Sequence, residues 1–173
     1  MKAEHVLIVC GYGCHLVPEL CGYLDRVLRF CNENRPDCLI FCGGFTQRKT
    51  APDKSEAGVM KEYVMPKLQY TPKLVYVEDD SYTTPDNIEN AERKLRDVWF
   101  HELTVFCEAT RALKIDLLVR HFFGRRANIE TASWEQMSPA KQIVSTLYDW
   151  AAIKFPPLAH YFRNQRLKRA ERI

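Results

Sequence analysis

Short apolar runs, each cut off by a polar loop, constrain this chain more than any other feature. CLIFC at Cys38–Cys42 stops at Gly43-Gly44, and LVYV at Leu74–Val77 stops at Glu78-Asp79-Asp80-Ser81. Runs this short, without polar alternation, are the pattern of strands buried on both faces. After the first, Asp53-Lys54-Ser55-Glu56 sets an Asp and, three residues on, a Glu where a capping box would open a helix. After the second, Thr84-Pro85 offers a hydroxyl cap followed by proline at the first helical position. Strand, polar loop and helix in repetition is the order of βαβ units around a parallel sheet.

The flanking segments extend the pattern. HVLIVC at His5–Cys10 reads as the first strand, and Gly11-Tyr12-Gly13 as a loop whose glycines let a ligand approach the backbone. A helix is predicted from Pro18 to about Asn34, with Leu20, Leu24, Val27, Leu28 and Cys31 on one stripe. The next helix spans Ser55–Leu68, with Val59, Met60, Tyr63 and Val64 on its apolar side. A third runs from Pro85 to about Trp99 and pairs Glu89 with Arg93 and Glu92 with Arg96 at i,i+4. LTVFC at Leu103–Cys107 is the fourth strand. Thr110–Phe123 is a helix with Leu113, Leu117, Leu118 and His121 down one side, stopped by Gly124. Ala127–Ala132 alternates and reads as a fifth, edge-like strand. Ser138-Pro139 opens a last core helix through about Ile153, with Ile143, Leu147 and Trp150 on its buried face, and Phe155-Pro156-Pro157 ends it. The expectation is a Rossmann-like three-layer αβα fold with a mainly parallel five-stranded sheet over residues 1–157. A basic C-terminal helix or tail follows over 158–173.

Composition narrows the function classes. The net charge of +3 over 173 residues is too small to argue for nucleic acid, and no nucleic-acid motif occurs. No apolar run nears the roughly 20 residues of a membrane span, and no stretch reads as a signal peptide. A cytoplasmic location is the expectation. Cys10, Cys38, Cys42 and Cys107 fall in predicted strands, where thiols behave as small hydrophobes. The x3 spacings of Cys10–Cys14 and Cys38–Cys42 do not match a zinc site, so no metal is expected. Cys14 is the one thiol placed near a presumed cleft.

Several of these motifs also carry a resemblance. Gly43-Gly44, then Ser55-Glu56-Ala57, then Glu78, Ser81, Thr84, Asp86 and Asn87 in the order E-x-x-S-x-x-T-x-[DE]-N, resemble the bacterial DUF218 (YdcF/SanA/ElyC-like) family. Arg111-Ala112 after the next strand also matches, and the resemblance spans roughly Val6 to Gly124. It implies a Rossmann-like fold with an enzymatic or ligand-binding cleft, in a family without a settled reaction. One position departs. Where the family typically has a His, two residues and then Arg-Ala, this chain has Glu108-Ala109-Thr110-Arg111-Ala112.

Open α/β sheets bind ligands beyond the carboxyl ends of their strands, and the distinctive polar residues gather there. Gly11, Gly13, Gly43, Gly44, Arg48, Ser55, Ser81, Thr84, Asn87 and Arg111 are the candidates for ligand binding. Glu56, Glu78 and Glu108 are the candidates for moving protons. Ser55, Glu56, Thr84 and Asn87 serve equally well as helix-capping groups. Glu78, crowded by Asp79 and Asp80, is expected to have a raised pKa, as a general acid requires. Arg111 at a helix start opposes the dipole there, which points to a ligand anion. Glu108 has two readings: an acid neutralised by its neighbours, or the mark of a reaction altered or lost, and the second is preferred. Without a Walker loop, a complete G-x-G-x-x-G or a G-x-S-x-G, ATPase, classical dehydrogenase and serine hydrolase chemistry are disfavoured. No cofactor can be named. The classes left are an enzyme acting on a phosphate-bearing or nucleotide-like small anion, a non-catalytic nucleotide or S-adenosylmethionine binding module, and a membrane-peripheral scaffold. The last would use the basic stretch 160–173 on a lipid surface, where the alternative is a solvated terminal helix.

Overall fold

The computed structural model describes residues 1–133 and 138–171; Arg172 of the basic stretch lies outside them. The elements are β1 (Lys2–Cys10), α1 (Pro18–Asn34), β2 (Cys38–Cys42), α2 (Glu56–Val64), β3 (Leu74–Glu78) and α3 (Thr84–Leu95). They continue with β4 (Trp99–Glu108), α4 (Ala112–Phe123), β5 (Asn128–Ala132), α5 (Pro139–Lys154) and α6 (Pro156–Ala170). Among the described residues, five parallel strands lie in the order β3-β2-β1-β4-β5. This is the expected Rossmann-like three-layer α/β fold. The register sets Cys10 beside Cys42 and Cys42 beside Glu78, so the strand ends that feed the loops are level.

Every residue of β2 is buried, because helices cover both faces of the sheet. On one face Leu7, Val9, Leu39 and Phe41 pack with Leu20, Leu24 and Val27 of α1 and Met60 of α2. On the other, Val6, Ile8, Ile40 and Val105 pack with Ile88 and Leu95 of α3 and Ile115 and Leu118 of α4. Each such side chain contributes about 1.5–3 kcal/mol by leaving water. The Tyr23 hydroxyl of α1 lies 2.8 Å from the Cys10 carbonyl and 2.9 Å from the Phe106 carbonyl, tying α1 to β1 and β4 at the centre of the sheet.

Five local expectations are corrected. The cap of α2 is Ser55, whose Oγ accepts from the Gly58 N–H at 3.0 Å, rather than Asp53. The cap of α3 is Thr83 rather than Thr84, in a capping box with Asp86. That helix stops at Leu95, because Trp99 to Glu102 pair with the start of β1, a long-range partner that local pattern does not show. A 3-10 turn over Ala109–Arg111 precedes α4, and the buried face of α4 is Lys114, Ile115, Leu118 and Val119, with Leu113 exposed. Finally, α5 packs on α3, α4 and the 3-10 turn rather than on the sheet. Its buried residues are Thr146 and Ala152, while Ile143 and Leu147 face solvent. Among the described residues, no helix is long and apolar enough to cross a membrane.

Candidate functional site

β1 has β2 on one side and β4 on the other, so the chain leaves β1 in opposite directions. This reversal of strand order opens a crevice above the strand ends. A cleft of about 960 Å³ lies there, with Gly11, Gly43, Glu56 and Arg111 among the residues at its floor and α5 and α6 supplying a wall.

Glu56, the first residue of α2, owes its position to two glycines. A Cβ on Gly11 or on Gly43 would stand 2.6 Å from Glu56 Oε2. Gly43 also holds φ at 149°, a conformation that L side chains rarely adopt. The same loop grips α2 by its backbone: the Gly44 carbonyl accepts from the Glu56 N–H at 3.1 Å, and the Gly43 carbonyl from the Ala57 N–H at 2.9 Å. Glu56 Oε1 accepts from the Thr46 hydroxyl. Burial pushes the Glu56 carboxyl above the usual carboxylate range, opposed by Thr46, the Gly13 N–H, Arg111 and Arg166.

Arg111 closes the 3-10 turn and lays its guanidinium over the Tyr12 ring, 3.8 Å from the centroid. Among the described residues no carboxylate forms an ion pair with it. Beneath, Tyr12 donates its hydroxyl to Glu108 Oε2 at 3.4 Å, and the same oxygen accepts from the Thr110 N–H at 2.8 Å and from the Thr110 hydroxyl. Glu108 is fully buried, with Oε1 unpartnered, and does not line the cleft. Its place is that of a brace under Tyr12 and Thr110.

Glu78 is also turned away from the cleft. Its register with Cys42 directs it to the α3 face, where Oε1 accepts from the Asp80 N–H at 3.0 Å and the Asn90 amide at 2.9 Å. Burial raises its pKa, while Ser81, Asn90, the Asp80 N–H and Lys94 pull it down. The expected direction therefore holds but its cause differs: desolvation acts, rather than repulsion from Asp79 and Asp80. Glu78 Oε2 and Ser81 Oγ are both buried outside hydrogen-bond geometry.

The structure thus brings Gly11, Gly13, Gly43, Gly44, Glu56, Ser81, Thr84, Asn87 and Arg111 to the cleft. Ser55 is spent on its cap. Arg48 is exposed in the loop before α2 and donates Nη2 to the Tyr82 hydroxyl at 2.6 Å. Helix amino termini are partly occupied from within. The Asp86 carboxylate accepts from the Tyr82 and Thr83 N–H groups, and Glu108 takes the Thr110 N–H. An anion placed in the cleft would therefore meet mainly cationic side chains.

Sequence reasoning missed several of those. Lys114 lines the cleft and pairs with Asp149 at 2.7 Å, also donating to Ser145 Oγ at 3.0 Å. It lies three residues after Arg111, in the first turn of α4, a proximity the sequence did carry. Arg166 of α6 and the rings of Tyr148, Tyr161 and Phe162 also line the cleft. Nothing local announces them, because α6 reaches the site only by doubling back at Pro156.

Cys14 is buried beside the cleft, where its thiol donates to the Lys54 carbonyl at 3.2 Å, and burial raises its pKa, which disfavours a thiolate. Among the described residues no group of three His, Cys, Asp or Glu could hold a metal ion. No family model, no curated protein and no solved structure matches the chain.

Proposed function

We propose that this chain is a DUF218-like enzyme that binds a small phosphate-bearing or nucleotide-like anion in the cleft and moves a proton through Glu56. The observation that carries this reading is the meeting, at the reversal of strand order, of an Arg111 that has no carboxylate partner among the described residues and a buried carboxyl with a raised pKa. A carboxyl held above its usual range keeps its proton closer to neutral pH, and it donates to a leaving oxygen more readily than an exposed one. Arg111 supplies a charge-assisted hydrogen bond to the phosphate, and Arg166 extends the cationic surface, while Lys114 is paired with Asp149. The resemblance in sequence supports the same cleft. Glu108 is set below it, and Asp149, which also lines it, is paired with Lys114, which leaves Glu56 as the candidate acid. The reading includes a cytoplasmic location.

A panel of sugar phosphates and nucleotides assayed for binding and for turnover tests it. Glu56→Gln preserves shape and should lower turnover by about 10²–10⁴-fold while binding is retained. The wild-type rate should fall as pH rises through the raised pKa of Glu56, because the donor is then lost. In the same assays Arg111→Ala should weaken binding by about 1.5–3 kcal/mol. Tight binding with no turnover of any member would instead make the protein a nucleotide or S-adenosylmethionine binding module. Undiminished turnover in Glu56→Gln would remove Glu56 from the chemistry.

A further inference from the structure

We propose that the anion taken by the cleft carries a flat aromatic ring, held by the wall that α5 and α6 form, while its phosphate lies at the strand ends. The proposal rests on the reading of the cleft as an anion site and names the class of ligand within it; a nucleoside phosphate is the simplest member.

The two sides of the cleft offer different chemistry. At the floor are glycine backbone, the Glu56 carboxyl and the Arg111 guanidinium. Across from them stand Val144 and Tyr148 of α5 with Tyr161 and Phe162 of α6. Val144, Tyr148 and Tyr161 are 62%, 54% and 56% exposed, an unusual amount of apolar surface to leave open on a cleft wall. The rings already form one aromatic cluster. Tyr148 and Phe162 lie 4.1 Å apart between centroids at an interplanar angle of 33°, and Tyr161 meets Phe162 edge-on at 5.6 Å. A further planar ring extends such an arrangement with little reordering.

The rim repeats the theme. Tyr82 lines the cleft, and its hydroxyl accepts from Arg48 while the Arg163 guanidinium of α6 lies 6.0 Å from its ring centroid. That contact joins α6 to the loop after β3, so the aromatic wall and the strand-end floor line one half-open cleft. Arg166, one turn of α6 from Phe162, lines the same space. Ring faces next to guanidinium groups suit a ligand that joins a π system to an anion. A bare sugar phosphate would leave the aromatic wall wet. An alkyl phosphate would cover it without using the ring faces. The volume, about 960 Å³, is also at the upper end of small-molecule sites and exceeds the needs of a phosphate alone.

Titration calorimetry with AMP, ribose 5-phosphate and octyl phosphate, on the full chain, provides the test. AMP should bind at least about tenfold more tightly than either of the others, the usual scale for one stacked base. Phe162→Leu and Tyr148→Leu keep an apolar side chain of similar bulk but remove a ring face. Each should narrow the AMP advantage by about tenfold, with folding checked by circular dichroism. Arg111→Ala should weaken AMP and ribose 5-phosphate in parallel. Equal affinity for AMP and ribose 5-phosphate, or an advantage that survives in both leucine variants, would overturn the aromatic subsite and leave the anion reading standing. Octyl phosphate binding better than AMP would do the same. Failure of all three probes to bind would end both readings.

Discussion

The floor of the cleft and its far wall are built by opposite means. At the floor, Glu56 is buried, and the loops around it are tied by backbone hydrogen bonds such as Gly11 N–H to the Cys42 carbonyl at 2.7 Å. In the wall, α5 and α6 present Val144, Tyr148 and Tyr161 to solvent. The wall is joined to the rest through side chains, among them the Lys114–Asp149 pair and Arg163 over Tyr82. The difference separates two jobs. Under the proposed function, a floor fixed by backbone contacts would hold reacting groups in place, and a wall of exposed rings would select a ligand without taking part in its chemistry. Substitutions at the floor should therefore cost stability, and substitutions on the wall should not.

The sharpest way to break this comparison is Gly44→Ala. A methyl there would run into the Ser81 carbonyl and stand 2.8 Å from the Asp79 carbonyl, both of them backbone. The loops after β2 and β3 would have to separate, at an expected cost of about 3 kcal/mol in urea denaturation. Wild-type stability in that variant would show that the floor yields as easily as the wall.

Glu78→Gln should act in the other direction. The folded state raises the Glu78 pKa by burial, so between the ordinary carboxyl value and the raised one the native protein binds more protons than the unfolded chain. The contribution of Glu78 is therefore full below the ordinary value and is lost as pH rises through the raised one. Glutamine can still accept from the Asp80 N–H and the Asn90 amide but carries no charge. Melting at neutral pH should rise by about 2–4 °C and the slope against pH should flatten. A lower melting temperature at all pH values would mean that the charged form is the one the site is built for.

The smallest effect belongs to the wall. Val144→Ser, at a position 62% exposed, should change stability by no more than about 0.5 kcal/mol in the same denaturation assay. A loss of several times that size would show that α5 is covered in solution, and the contrast between the two sides would then fail.

The strands were legible because their signal is local. Cys38–Cys42 reads as a doubly buried strand and is one, with every residue buried. Errors began where a partner distant in sequence decided the outcome. Trp99 looked like the end of a helix and is the start of β4, because the first residues of β1 pair with it. Ile143 and Leu147 looked like core and are exposed, because an apolar stripe looks the same whether it meets protein or lines open space. The three candidate glutamates show the same limit. Their positions follow from the sequence, but only Glu56 opens onto the cleft, since the direction of each side chain depends on the loop that carries it.

What the sequence by itself determined, then, is the alternation of strands and helices and the level at which the glycines and acids would gather. Apolar runs, caps and breakers act within a few residues, so their effects can be read from those residues. The tertiary structure alone decided the order β3-β2-β1-β4-β5, the choice of Glu56 over Glu78 and Glu108, and the return of α6 over the cleft. Gly11, Gly43, Glu56, Arg111 and Arg166 meet only once the two faces of the sheet are covered. Burial of apolar surface is non-directional, and which distant groups it brings together is fixed by how the whole chain packs.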